Sequence, residues 1–281
     1  MRKYLSLIKF SHTIFAMPFA LIGFFLATKS NEFEWITLLY VVFCMIFARS
    51  AAMAFNRYID RDIDAANSRT AQVREIPNGS IKANSALIFV IINSLLFVTT
   101  TYLINSLCFL LSPIALLVIL GYSYTKRFTA LCHLILGLGL ALAPIGAYLA
   151  VTGEFDVIPL LFSVAVLFWV SGFDIIYSLQ DQDFDKEQTL HSIPVLIGTK
   201  NALNLSKTLH FLTFSALSIA GSFGDFSLYY WIGFGIFTTL LIYQHILVKH
   251  NDLSKVNLAF FTTNGIGSVI FGVFVIADLL I

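Results

Sequence analysis

The sequence predicts an all-α integral membrane protein, with nine transmembrane helices bundled around a central cavity that opens to the cytoplasmic face. We expect one polytopic transmembrane domain over residues 1–281. Hydrophobic residues make up 58% of the chain and charged residues only 12%, whereas a soluble domain carries about 25% charged residues. The surface of a water-soluble protein cannot be built from this composition, so the lipid bilayer is the predicted partner. The net charge of +1 says nothing about nucleic acid, and we expect no nucleic-acid partner.

Apolar runs of membrane-spanning length follow one another along the chain. The strict alternation of a β-barrel is absent from them. In lipid the backbone must satisfy its own hydrogen bonds, so each run is predicted to be a helix. The nine runs cover residues 12–28, 36–58, 85–104, 107–124, 129–151, 157–180, 207–223, 227–248 and 257–280.

Lysine and arginine are distributed unevenly between the two sides of these runs. Fifteen lie on the side of the N-terminus, Lys29 alone lies in an opposite loop, and Arg49 lies within a run. Because such an excess marks the cytoplasmic side, the N-terminus is predicted to be cytoplasmic. The two long loops on this side, 59–84 and 181–206, both begin with clusters of aspartate.

Asn56, Asp60 and Asp64 recur at four-residue intervals at the end of the second run. On a continuous helix they share one face, where like charges repel each other. The pattern returns as Asp181 and Asp185 after the sixth run. Because Mg²⁺ binds through one or two carboxylates, water and substrate phosphates, two facing clusters predict a site for Mg²⁺ and a diphosphate. The alternative is a solvated acidic loop start with basic neighbours as counter-ions, namely Arg57, Arg61 and Lys186.

A basic pair, Lys126 and Arg127, follows the fourth run on the same side as the acids. These side chains could neutralise a departing diphosphate, Lys as a point charge and Arg as a fork. Ordinary anchoring at the membrane surface, with Tyr122 in an aromatic belt, is the alternative. Four residues of the long loops either close over the site or lie in a solvated loop: Arg69, Arg74, His191 and Ser192.

Two charges lie within the apolar runs. Arg49 precedes Asn56 by seven residues, and Asp174 precedes Asp181 by the same interval, so each charge shares a face with the motif that follows it. Intramembrane charges are costly and usually line a cavity or pair with each other. In the first interpretation Arg49 binds an anionic substrate group and Asp174 orients a partner; in the second they form a buried pair.

These charges also permit a second function, that of a membrane transporter or carrier. Carriers usually bind their cargo at the membrane midplane. Here the acids cluster at the cytoplasmic ends, which favours a substrate with a charged head and an apolar tail. An allylic prenyl diphosphate has this form: it ionises when the leaving diphosphate is stabilised, and an electron-rich acceptor then attacks the cation. Water must be excluded, since it would quench that cation.

The same residues resemble the UbiA superfamily of intramembrane prenyltransferases. Asn56, Asp60 and Asp64 are similar to its N-D-x-x-D-x-x-x-D motif, and Asp181 with Asp185 to its second D-x-x-x-D motif. Tyr122 to Lys126 resemble its Y-x-x-x-K motif. Arg57 departs from the family pattern, which usually has Asp there, and Asp62 is the candidate substitute. The resemblance implies nine spans, Mg²⁺ ligation by Asn56 and the four motif aspartates, and catalytic roles for those aspartates and Lys126.

Two further stretches, Phe168–Tyr177 and Leu190–Pro194, resemble the 4-hydroxybenzoate polyprenyltransferase branch. Asn56-Arg57 with Asp64-Ala65 is also similar to menaquinone-pathway relatives that act on a dihydroxynaphthoate. The resemblance implies a polyprenyl diphosphate donor, an aromatic hydroxy acid acceptor, ubiquinone or menaquinone biosynthesis, and a bacterial-type inner membrane. The predicted substrate contacts are Arg49, Asn56, Arg69, Tyr122, Arg127, Asp174, Tyr177 and His191.

Overall fold

The computed structural model describes residues 2–8 and 15–281, and within them it contains helices and no β-sheet, with one isolated β-bridge between Lys249 and Asp252. The first helices are α1 (Arg2–Leu7), α2 (Met17–Thr28), α3 (Trp35–Ile59), α4 (Arg61–Ala66), α5 (Ala83–Ile104) and α6 (Ser106–Thr125). They are followed by α7 (Cys132–Thr152), α8 (Val157–Ser178), a 3₁₀ turn (Leu179–Asp181), α9 (Gln182–Glu187), α10 (Ile193–Phe223), α11 (Leu228–Leu247), a π-helical turn (Leu258–Thr263) and α12 (Asn264–Leu280).

The structure confirms an all-α, multi-pass membrane protein. Within residues 2–8 and 15–281, seven helices are long and apolar enough to cross a bilayer. The first predicted run corresponds to α2, which has 12 residues, and its residues 12–14 lie outside the described chain. The run 207–223 is the second half of α10, where Ser, Thr and His side chains lower the hydropathy. The count of nine spans, the central cavity and the cytoplasmic orientation stay predictions.

The helices divide into two compact units. The first contains α1 and Trp35–Tyr124. In this unit α3 packs along α5, and α1 packs against α3. Ser6 of α1 donates a hydrogen bond to Glu75 (2.5 Å), which connects the N-terminal helix to the loop that follows α4. The buried apolar cluster beneath this contact consists of Leu7, Ile8, Ala54, Ile81, Ala86 and Val90.

The second unit contains residues 15–34 and Thr125–Ile281, with α8 at its centre. A side chain at Gly137 of α7 would overlap the carbonyl of Leu167, so glycine permits the close approach of α7 and α8. Trp169 of α8 is fully buried and donates its indole N–H to Asn264 of α12 (2.9 Å). Because a buried indole N–H needs an acceptor, this bond fixes α8 against α12.

The loop predicted over 181–206 is mostly helical, which corrects that expectation. It contains α9 and the first part of α10. Pro194 lies in the first turn of α10, where its fixed φ favours helix initiation and its missing N–H costs nothing. Gly198, at φ 76° and ψ 161°, interrupts α10 after this start. The polar residues after the second acid motif are therefore held in helices, and only residues 188–192 connect α9 to α10.

Candidate active site

The first acid motif lies where α3 ends and α4 begins. Asp60 is the junction residue, with φ −88° and ψ 6°, and α3 ends at Ile59, close to the end predicted at residue 58. The hydrogen bonds from Asp60 N to Asn56 O (2.9 Å) and from Asp64 N to Asp60 O (2.7 Å) keep the four-residue register. The interruption therefore changes the path of the backbone but preserves the spacing of the three side chains.

A chain of polar contacts leads to Asp60, which is 4% exposed. Arg57 donates from its guanidinium to the side-chain oxygen of Asn56 (2.9 Å), and the side-chain nitrogen of Asn56 donates to Asp60 (2.9 Å). Arg57 thus contacts an amide rather than acting as the counter-ion of a motif carboxylate. The amide oxygen of Asn56, the atom that could bind a metal, is occupied by Arg57 in this arrangement.

Asp64 is held by the loop that follows α4. Its carboxylate is 3.9 Å from the guanidinium of Arg74, and both side chains are largely buried. The hydroxyl of Thr70 donates to the backbone carbonyl of Asp64 (2.8 Å), and Arg74 N donates to Thr70 O (2.9 Å). This turn positions Arg74 beside the Asp64 carboxylate. Asp64 is therefore not part of a fully solvated acidic cluster, which was the alternative interpretation of this motif.

Arg49 and Tyr122 interact electrostatically with each other in the first unit, and Arg57 repels Arg49. The buried Nε of Arg49 has no hydrogen-bond partner among the described residues. By contrast, Arg69 is exposed, and the side chain of Asp62 is 85% exposed beside Arg61 (3.8 Å). Of the predicted substrate contacts in the first unit, Arg49, Asn56 and Tyr122 are therefore half-buried, and Arg69 is exposed.

The second acid motif has the same backbone plan as the first. Here α8 gives way to a 3₁₀ turn that ends at Asp181, and Asp181 has φ −107° and ψ 6° before α9 begins. Asp185 follows four residues later in α9. Both side chains are half-buried, whereas Asp183 between them is exposed. The repeat that the sequence predicted is thus present in the backbone of each motif.

Lys126 and Asp185 lie together in the second unit. The Asp185 carboxylate interacts with the positive charge of Lys126, is repelled by Asp181, and lies beside the hydroxyl of Ser192. His191 N donates to the carbonyl of Lys126 (2.7 Å), which joins the segment before α10 to the segment before α7. The structure therefore brings the predicted basic residue to the second motif. The His191 side chain is exposed, and Arg127 is half-buried.

His133 is a residue that the sequence analysis missed. It lies at the second position of α7, is 3% exposed, and its Nδ1 is 2.7 Å from a carboxylate oxygen of Asp174. Its signal in the sequence is a lone histidine near the start of an apolar run, and buried polar side chains require partners. Asp174, which was expected to line a site or pair with Arg49, is hydrogen-bonded to His133.

Tyr177 lies against an aromatic side chain near the end of α8. Its ring centroid is 4.2 Å from that of Phe260, within the π-helical turn that precedes α12. Such π turns are rare and frequently occur at functional sites. Tyr177 was predicted from the sequence as a substrate contact, but the turn was not predicted, because a π turn carries no periodic signature.

Among the described residues, no group of three or more His, Cys, Asp or Glu side chains is placed to hold a metal ion. The carboxylates instead occur in twos, Asp60 with Asp64 and Asp181 with Asp185. Oxygen donors in small number suit Mg²⁺, which keeps several waters and takes its remaining ligands from substrate phosphates. The donor chemistry of each motif therefore fits Mg²⁺ bound together with a diphosphate.

The sequence model of the UbiA prenyltransferase family matches residues 16–266. The chain belongs to this family. The 4-hydroxybenzoate octaprenyltransferase of Tolumonas auensis is 31% identical over 223 residues, which cover 79% of this chain and 77% of that protein. The enzyme of the same name from Vibrio parahaemolyticus is 31% identical over 241 residues, covering 84% and 83%.

Solved structures of the family share the fold. A UbiA homologue from Aeropyrum pernix K1 in its apo form superposes with a TM-score of 0.86 at 30% identity, covering 95% of this chain and 98% of that one. A UbiA homologue from Archaeoglobus fulgidus, bound to DMAPP and Mg²⁺, superposes with a TM-score of 0.76 at 21% identity, covering 99% of each chain. This chain is therefore a membrane prenyltransferase, which confirms the predicted family and enzyme class. The roles of individual residues stay predictions.

Proposed function

We propose that this UbiA-family chain transfers a polyprenyl group from a prenyl diphosphate to a hydroxyaryl carboxylate, of 4-hydroxybenzoate or dihydroxynaphthoate type, in quinone biosynthesis. The names of the relatives support the benzoate class of acceptor. The observation that carries the proposal is the second motif, where Asp185 lies with Asp181 and Lys126. A diphosphate leaving group requires carboxylates that hold a cation and an ammonium group that binds a phosphate.

Each acid motif would hold Mg²⁺, the first through Asp60 and Asp64 and the second through Asp181 and Asp185, and the metal would supply positive charge to a diphosphate. Lys126 adds a second charge, because an ammonium ion binds phosphate oxygens as a point charge. Arg127 is the other basic candidate for this contact. Together these side chains lower the cost of breaking the bond between the allylic carbon and the diphosphate oxygen.

The apolar side chains around α8 bear on the allylic carbon of the prenyl group. Phe173, Ile175 and Ile176 are buried around the last turns of this helix, which keeps water away from a developing allylic cation. The closely packed, tilted rings of Tyr177 and Phe260 present π electrons, which stabilise nearby positive charge. The prenyl tail is apolar and remains in the lipid. We place the chain in a bacterial-type inner membrane with a cytoplasmic N-terminus, from its lysine and arginine distribution.

The carrier alternative relied on the intramembrane charges Arg49 and Asp174 as cargo ligands. Membership of a prenyltransferase family argues for transfer chemistry rather than transport.

A paired assay tests the proposal. The full chain, purified and reconstituted in nanodiscs with Mg²⁺, would receive geranyl, farnesyl or octaprenyl diphosphate together with 4-hydroxybenzoate or 1,4-dihydroxy-2-naphthoate. We expect a prenylated aromatic acid and one equivalent of diphosphate, both lost in Asp181→Asn. Release of diphosphate without a prenylated acid from either acceptor would contradict the proposed acceptor class but not the prenyl diphosphate site. Absence of both products from every pair would contradict the proposed function.

A further inference from the structure

Three elements of the second unit meet at the buried imidazole of His133. Its Nδ1 is 2.7 Å from Oδ2 of Asp174 on α8, and its Nε2 is 3.3 Å from the backbone N of Ile193 at the start of α10. His133 itself is on α7. One side chain therefore joins α7, α8 and α10 through two directed polar contacts.

The two contacts determine which nitrogen of His133 carries the proton. A backbone N–H can only donate, so Nε2 must offer its lone pair to Ile193. Nδ1 then carries the hydrogen and donates it to Asp174. These contacts fix the orientation of the ring and direct Nδ1–H at the Asp174 carboxylate.

Asp174 needs a further partner in these surroundings. Its neighbours Phe173 and Ile175 are buried and apolar, yet the Asp174 side chain keeps 21% exposure. His133 occupies one of the two carboxylate oxygens. An ionised carboxylate only accepts hydrogen bonds, so the other oxygen suits a hydroxyl donor. Asp174 also lies about 10 Å before Asp181 along the helix, since seven residues at 1.5 Å each separate them.

We propose that Asp174 accepts the hydrogen bond of the aromatic acceptor's hydroxyl group, and that His133 is a positioning residue that holds the carboxylate for this contact. The inference rests on the proposed function, because it names the part of the acceptor that this site recognises. A hydroxyl that donates to a carboxylate pushes electron density into its ring, which makes the ring carbons more nucleophilic. The enzyme would then recognise its acceptor by the hydroxyl group, at a distance from the diphosphate.

Binding of matched acids tests the inference without turnover. Dissociation constants of 4-hydroxybenzoate and benzoate would be measured calorimetrically on nanodisc-reconstituted protein, and those of 1,4-dihydroxy-2-naphthoate and 2-naphthoate in parallel. We expect the wild type to prefer the hydroxylated acid about 10- to 100-fold, the range for a hydrogen bond to a charged group. Asp174→Asn should remove most of this preference while leaving the affinity for benzoate or 2-naphthoate unchanged.

His133 is tested by two substitutions with opposite expectations. His133→Ala should reduce the preference as Asp174→Asn does. His133→Asn should restore most of it, because the asparagine amide can donate from the position of Nδ1. A preference that survives Asp174→Asn, or equal loss of affinity for both acids, would overturn the inference. So would a failure of His133→Asn to differ from His133→Ala when both variants keep the wild-type melting temperature.

The assay separates this inference from the proposed function. If the wild type prenylates a hydroxyaryl acid but Asp174→Asn discriminates as the wild type does, only the role of Asp174 is wrong. If the wild type prenylates none of these acids, the proposed function fails and this inference fails with it.

Discussion

The two acid motifs share a backbone and differ in their surroundings. In each, a long helix is interrupted at the first aspartate, which has ψ 6°, and a six-residue helix carries the second aspartate four positions later. Asp60 and Asp64 are buried, with exposures of 4% and 7%. Asp181 and Asp185 are half-buried. The same local sequence pattern therefore produces the same backbone in two different electrostatic environments.

This difference in burial indicates that the two motifs contribute differently to folding stability and to catalysis. The first is tied into its own unit by Arg57 through Asn56 and by Arg74 at Asp64. Buried carboxylates with such partners contribute to folding as well as to binding, since a charge left unpaired in a low-dielectric region is costly. The second motif has Lys126 beside Asp185 and more contact with water. We expect substitutions there to affect catalysis with little effect on stability.

The largest expected effect is on turnover, and it tests whether the two motifs are equivalent in catalysis. Asp60→Asn and Asp181→Asn each remove one carboxylate charge without changing side-chain size. We expect each to lower kcat/KM by about 100- to 1000-fold, the range seen when one group that stabilises transition-state charge is removed. Initial rates at saturating Mg²⁺ measure this. A variant that retains wild-type turnover would show that its motif is not part of the active site.

The second prediction concerns stability and sharpens the contrast in burial. Asp64→Ala leaves Arg74 without its partner, and we expect a loss of about 3–5 kcal/mol in the free energy of unfolding, as for other broken buried ion pairs. Asp185→Ala should cost less than about 1 kcal/mol, because its site is partly solvated. Thermal and denaturant unfolding in the same nanodiscs would measure both. Equal losses at the two positions would contradict the proposed difference.

The sequence predicted the class of the fold and both motifs, because hydrophobic length and four-residue spacing are local properties of the chain. It placed the ends of these two helices at residues 58 and 180, close to Asp60 and Asp181. It did not predict the short helices α4 and α9 that carry the second aspartate of each motif, because both were expected to lie in loops. The seventh predicted span also merged with the preceding loop into α10, since Pro194 initiates a helix that the loop's polar composition did not suggest.

The site was predicted less completely than the fold. Lys126 was assigned to a phosphate contact, and this role stays a prediction; in the structure its charge acts on Asp185. His133 was missed because its partner Asp174 is 41 residues away, and a pairing across two helices leaves no spacing signature. Arg57 was a counter-ion only in the alternative interpretation, and its guanidinium contacts the Asn56 amide. Contacts between distant positions require the three-dimensional arrangement.

A third prediction tests the positive charge that distinguishes the second motif. Lys126→Ala should lower kcat about 10- to 100-fold even at saturating Mg²⁺, because the metal does not replace a charge on the departing diphosphate. Lys126→Arg should recover part of the loss, since it keeps the charge with a different geometry. Rates across a Mg²⁺ titration measure this. Full rescue by excess Mg²⁺ would show that Lys126 only supports metal binding, and unchanged rates would favour a role in membrane anchoring.

The smallest effects are expected at the middle acid of each motif, and they test whether burial decides which carboxylates matter. The side chain of Asp62 is 85% exposed, and Asp183 is exposed as well. Charges in water interact weakly, so Asp62→Asn and Asp183→Asn should each change kcat/KM by less than about twofold. The two variants are matched controls for Asp60→Asn and Asp181→Asn in the same assay. A tenfold loss at Asp62 with none at Asp183 would show that the first motif uses an exposed carboxylate, in compensation for the arginine at position 57. The environments of the two motifs would then differ for a chemical reason, and burial alone would no longer explain the contrast.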